Sequence, residues 1–265
     1  MKYTAKKIAA LKAAGSFAPL AVATAYDAIT GRFAEAAGAP VVLVGDSLGN
    51  TALGFESTIP VTMEMMLHHT AAVRRGVKNA LVVADMPFMS YHASRAEAVV
   101  NAGRFLQVAG ADAVKLEGGV LRAELIREIV GNGIPVMAHI GLLPQSLKVA
   151  GFATKGGSEA EAEALRADIA AVVEAGAFCV VLECVRAELA AELSALSPVP
   201  TIGIGSGAGC DGQVLVMADL LGLTEGAPKF VRRFANLGEL AVGAVRDYVE
   251  AVRAREYPGV EHSYN

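Results

Sequence analysis

The chain has 265 residues, of which 54% are hydrophobic and 19% charged, with a formal net charge of −4. That supplies one large core, and an acidic balance without any Lys/Arg run excludes nucleic acid as the main partner. No apolar stretch is long enough for a membrane span and the polar, lysine-bearing start is unlike a secretory leader, so a cytoplasmic location is expected.

Residues 4–14 read as a helix capped by Thr4, with Ile8 and Leu11 on one face and Gly15 as the stop. Ahead of any strand, it suits the bottom of a barrel. Residues 20–24 (L-A-V-A-T) form the first strand, and Asp27 caps a helix over 28–37. Residues 41–50 read V-V-L-V-G-D-S-L-G-N. The first four are apolar and mostly β-branched, a buried strand. Gly45 ends it, and Asp46 and Ser47 follow where parallel strands present ligand groups. Residues 50–60 are a glycine-bearing loop able to fold over a site. The helix 61–75 carries His68 and His69, which as neighbours point different ways and cannot share a metal.

A strand over 80–84 delivers Asp85, and a helix over 95–109 follows Ser94. The strand 113–116 contains Lys115 and delivers Glu117. A lysine there needs a carboxylate partner or a bound anion. After the helix 121–130, a strand over 134–138 delivers His139, followed by the loop I-G-L-L-P-Q-S. Residues 150–158 read as a flexible stretch around Lys155. Ser158 and Glu161 suggest a capping box for a helix reaching 175. The strand 178–182 delivers Glu183, the helix 186–196 comes next, and strands over 200–204 and 213–217 complete eight. A long helix over 237–255 precedes a polar tail. The three cysteines, Cys179, Cys184 and Cys210, lack C-x-x-C spacing, give no zinc site and fit a reducing compartment.

Eight strand–helix alternations point to a single domain over 1–265, an α/β (β/α)₈ TIM barrel spanning about 20–255 with an N-terminal capping helix. An open doubly wound sheet would want a glycine fingerprint after the first strand, and T-A-Y-D-A-I-T has none.

Five successive strands therefore end in Asp46, Asp85, Glu117, His139 and Glu183. Helix capping favours Ser, Thr, Asn and Asp and does not explain the series. Four carboxylates and one lysine on one rim need another cation, and hard oxygen ligands select Mg²⁺ over zinc. A metal that polarises a carbonyl acidifies the neighbouring carbon, and Glu183 is placed to be the general base. The expected chemistry is enolate formation on an oxo acid, with Lys115 holding a second negative group.

The strings G-D-S-L-G-N (45–50), A-D-M-P-F (84–88), V-K-L-E-G-G (114–119), A-H-I-G-L-L-P-Q (138–145), L-E-C-V (182–185), and I-G-I-G-S-G with C-D-G-Q-V-L-V-M-A-D-L-L-G (within 202–222) closely resemble the ketopantoate hydroxymethyltransferase family of the phosphoenolpyruvate/pyruvate barrel superfamily. The resemblance implies transfer of the one-carbon unit of 5,10-methylenetetrahydrofolate onto the Mg-bound enolate of 3-methyl-2-oxobutanoate, giving 2-dehydropantoate for pantothenate synthesis. It implies Asp46, Asp85 and Glu117 around one Mg²⁺ per subunit and Asp46, Ser47, Asp85 and Lys115 on the oxo acid. Glu183 matches the family's proton acceptor, and His139 a site histidine without a firm role. A large homo-oligomer, commonly a decamer, is also implied. Arg186 stands where the family often has proline, and S-G-A-G-C at 206–210 varies a rim loop. The competing readings are a C–C lyase or phosphoenolpyruvate mutase of the same superfamily. The lyases carry a K-K-C-G-H loop that this chain lacks.

Overall fold

A computed structural model describes residues 2–15, 18–146 and 153–264. Eight parallel strands close into a barrel in sequence order. They are β1 (Leu20–Thr24), β2 (Val41–Val44), β3 (Leu81–Asp85), β4 (Ala113–Glu117), β5 (Val136–Gly141), β6 (Cys179–Glu183), β7 (Thr201–Ile204) and β8 (Gly212–Leu215). The barrel closes through Leu20 of β1 paired with Gly212 of β8. Adding a Cβ at Gly212 would bring it within 2.5 Å of the Leu20 carbonyl oxygen, so a side chain there would push the closing strands apart.

Inward positions alternate along each strand. Val41 and Leu43, Leu81 and Val83, Ala113, Met137, and Cys179 and Val181 make one buried cluster. Ile8 of the leading helix Ala5–Ala13 joins that cluster with no exposed surface. The helix thus plugs the N-terminal mouth, as its position before any strand suggested. The same parity, carried two residues further, puts Asp85, Lys115, His139 and Glu183 inward at the opposite end, and two more reach Glu117. Apolar layers fill the lower barrel and ionisable ones the top.

Strands β3, β4 and β6 each run one residue further than expected, so Asp85, Glu117 and Glu183 belong to the ladder rather than to loops. β5 starts two residues late and ends three late. Pro135 has no N–H to give the sheet, and His139 lies within the strand, paired with Glu117. The loop expected over 50–60 opens on the end of a short helix, Leu48–Thr51. Thr4, Asp27, Ser94 and Ser158 cap their helices as expected. The proposed capping box at Ser158 is only half made. Glu161 N–H donates to Ser158 Oγ, but the Glu161 carboxylate accepts from Gly157 N–H instead. The flexible stretch expected over 150–158 lies partly outside the described residues. Its Lys155 forms a parallel bridge with Val185.

The chain divides into two compact units, Met1–Val216 and Met217–Asn265. The first holds all eight strands. The second contains the helix Leu237–Ala254, which has no buried residue and leaves Leu240, Val242, Val245 and Tyr248 exposed.

Candidate active site

Each functional side chain is set by the register of the barrel. Asp85 of β3 lies opposite Lys115 of β4, and Lys115 Nζ is 2.9 Å from Asp85 Oδ1. Asp46, one residue past Gly45, turns its backbone N–H to Asp85 Oδ2 at 3.1 Å. A Cβ at Gly45 would sit 2.8 Å from Ser47 Oγ and 3.5 Å from Asp85 Oδ2, so glycine is what lets the strand end come this close. Ser47 Oγ hydrogen-bonds the Tyr26 hydroxyl at 2.8 Å, and Tyr26 accepts from Thr24 at 3.0 Å.

Lys115 Nζ also donates to His139 Nδ1 at 3.2 Å, and His139 Nε2 lies 3.2 Å from Glu183 Oε2. Burial, then the Lys115 charge, holds the imidazole below its ordinary value, so it is neutral at pH 7. Accepting a hydrogen bond from Lys115 at Nδ1, the neutral ring carries its proton on Nε2, beside the Glu183 carboxylate. Glu183 is the most open member, its side chain 16% exposed against 4% for Glu117 and 6% for Asp85. Its backbone is tightly constrained. Gly141, with φ of +98°, would bring a Cβ within 2.3 Å of the Glu183 carbonyl oxygen, and Cys184 adopts φ of +51° directly after it.

Four carboxylates thus share one ammonium. Burial, followed by repulsion from Asp85, pushes the Asp46 carboxyl up to about 7. Burial and then Asp46 push Glu117 well above the ordinary carboxylate range. Burial pulls Lys115 down, but Asp85, Glu117 and Asp46 outweigh it and hold the ammonium above the usual lysine value. The site lacks positive charge, as four acids around one lysine must. Among the described residues no three carboxylate, imidazole or thiol groups are arranged to hold an ion by themselves. By its chemistry, a set of carboxylate oxygens without a thiol suits a hard divalent ion that takes one or two carboxylates and fills its other positions from water or substrate, the habit of Mg²⁺.

Two residues that sequence reasoning did not single out complete the site. The Gln145 side chain donates to Asp46 Oδ2 at 2.9 Å, and the Tyr91 hydroxyl donates to Gln145 Oε1 at 2.7 Å. Both lie in strings that follow strand ends, M-P-F-M-S-Y after Asp85 and G-L-L-P-Q after His139. That placement was the available signal.

The family model for ketopantoate hydroxymethyltransferase matches residues 2–260. The chain belongs to the ketopantoate hydroxymethyltransferase family. Within that family it is 52% identical over 265 residues to the 3-methyl-2-oxobutanoate hydroxymethyltransferase of Carboxydothermus hydrogenoformans, covering 99% of this chain and 95% of the relative. It is likewise 52% identical to that of Moorella thermoacetica, covering 99% and 98%. The family barrel also resembles more distant solved structures. Phosphoenolpyruvate phosphomutase from Streptomyces platensis subsp. rosaceus superposes with a TM-score of 0.62 at 17% identity, over 96% of this chain and 88% of that one. A 2,3-dimethylmalate lyase of the PEP mutase/isocitrate lyase superfamily gives 0.61 at 18%, over 97% and 90%. At such identities the likeness is one of fold. The enzyme is a hydroxymethyltransferase, and the competing lyase and mutase readings share its architecture alone.

Proposed function

We propose that the rim cluster binds Mg²⁺ and 3-methyl-2-oxobutanoate together, and that Glu183 takes the proton from C3 of the oxo acid. The carbon so freed would accept the one-carbon unit of 5,10-methylenetetrahydrofolate, giving 2-dehydropantoate. The observation that carries this reading is His139 placed 3.2 Å from both Lys115 Nζ and Glu183 Oε2, with Glu183 the more exposed carboxylate beside the buried Asp85 and Glu117.

Asp46 and Asp85, with Glu117 beside them, are the residues that would hold the ion. Its contribution when bound is to draw electron density from the keto group and so acidify C3. The remaining work falls to the chain. Lys115 offsets the negative charge that grows on the oxo acid as C3 loses its proton. Ser47, tethered to Tyr26, and Asp85 orient the substrate. His139 keeps the Glu183 carboxylate turned toward the rim, and the Gly141 and Cys184 backbones keep Glu183 from retreating. The protein is further proposed to work in the cytoplasm as a homo-oligomer, a decamer by family resemblance. No described helix is long and apolar enough to cross a membrane.

The test is exchange of the C3 proton with D₂O, followed by NMR with Mg²⁺ and no folate. Glu183→Gln should keep oxo-acid binding and slow exchange by about 10²-fold or more, the scale of a lost general base. Undiminished exchange would assign the proton to another group.

A further inference from the structure

Gln145 sits where one residue can settle the orientation of two separate carboxylates, one through its side-chain amide and one through its backbone N–H. Its Nε2 donates to Asp46 Oδ2 at 2.9 Å and to the Met86 carbonyl at 3.0 Å. Its own backbone N–H donates to Glu117 Oε2 at 3.1 Å. Its Oε1 accepts from the Tyr91 hydroxyl at 2.7 Å, and that hydroxyl accepts from Glu117 N–H at 3.3 Å. The amide fits only one way round, because Nε2 faces two acceptors and Oε1 faces a donor. The residue is buried, and so is Tyr91. One oxygen of each carboxylate is thereby taken by a fixed donor, while no described residue donates to Asp46 Oδ1 or Glu117 Oε1.

Carboxylates that must meet a cation are commonly held from behind by neutral donors, and loss of such a donor weakens the metal about 10- to 100-fold. We infer that Gln145, braced by Tyr91, is the positioning residue that sets Asp46 and Glu117 for the divalent ion. The inference rests on the proposed metal site. Neither residue touches the oxo acid in this role. Each acts through the carboxylates.

The experiment is calorimetric titration of Mg²⁺ alone into the full chain, with exchange at C3 as a second readout. In Gln145→Met, which keeps the backbone N–H and most of the volume, Mg²⁺ affinity should fall about 10- to 100-fold. Exchange should be slow at limiting Mg²⁺ and recover toward the wild-type maximum at saturating Mg²⁺. Tyr91→Phe should weaken Mg²⁺ less, and add little when combined with Gln145→Met, because both act through one amide. If Gln145→Met fails to fold, Tyr91→Phe alone decides: unchanged Mg²⁺ affinity overturns the inference. It is equally overturned if Gln145→Met lowers the melting temperature yet binds Mg²⁺ like the wild type, or if its exchange defect persists at saturating metal. Absence of Mg²⁺ binding by the wild type would instead remove the metal site itself, a result distinct from either.

Discussion

At the scale of single residues, the site is governed by the shortage of positive charge around Asp46. A carboxyl raised to about 7 by burial and by Asp85 holds a proton that a cation must displace. Mg²⁺ affinity should therefore rise as pH climbs through about 7, by up to about tenfold per unit for that proton. The sign for stability is opposite. A carboxyl whose folded value lies above its unfolded one, near 4, stabilises the metal-free fold at low pH, and that contribution is lost as pH rises from about 4 to about 7. Titrations with Mg²⁺ at a series of pH values, paired with metal-free melting, check both signs. Affinity independent of pH between 6 and 8 would show that Asp46 is already ionised. The sequence displayed each of these acids at a strand end. Gln145 and Tyr91 were marked only by their place just beyond strand ends, because a neutral loop residue shows its role only once its hydrogen bonds are known.

At the scale of elements, the strand ends were legible and their exact limits were not. An acid after an apolar residue reads as the start of a loop, so β3, β4 and β6 were each expected to stop one residue short. Backbone pairing ignores side-chain polarity, and Asp85, Glu117 and Glu183 pair with Lys115, His139 and Ile204 respectively. For β5 the apolar Ile134 and Pro135 were misleading. The amide of Ile134 closes the preceding helix through Ile129 O, and proline cannot donate. The payoff of the true register is Gly141 directly opposite Glu183. Gly141→Ala meets both a positive φ and a 2.3 Å approach to Glu183 O. It should cost about 1–3 kcal/mol of stability. Exchange at C3 should fall at least tenfold while Mg²⁺ affinity holds, since Asp46 and Asp85 lie on other strands. Loss of metal affinity in step with exchange would place the effect in the whole rim.

At the scale of the molecule, folding and chemistry occupy opposite ends of one barrel. The alternation that buries Val83, Ala113 and Met137 below is the alternation that presents Asp85, Lys115 and His139 above. Strand–helix alternation made the barrel legible. The division into Met1–Val216 and Met217–Asn265 was not, because the final helix has the composition of any outer barrel helix. Ile8→Ala empties a fully buried position at the far mouth and should cost about 2–5 kcal/mol by denaturation. At temperatures where the variant is folded, Mg²⁺ affinity should match the wild type. A weakened metal site would mean the two ends are coupled.

The central claim is that a divalent ion held by these strand ends makes the oxo acid give up its C3 proton. The decisive measurement is the rate of deuterium uptake at C3 of 3-methyl-2-oxobutanoate in D₂O, for wild type and Asp85→Ala, with Mg²⁺ and with EDTA. Rapid uptake by the wild type with Mg²⁺, abolished by EDTA and absent in folded Asp85→Ala under both conditions, is the expected result. Equal uptake with and without the chelator, or in the variant, would contradict it.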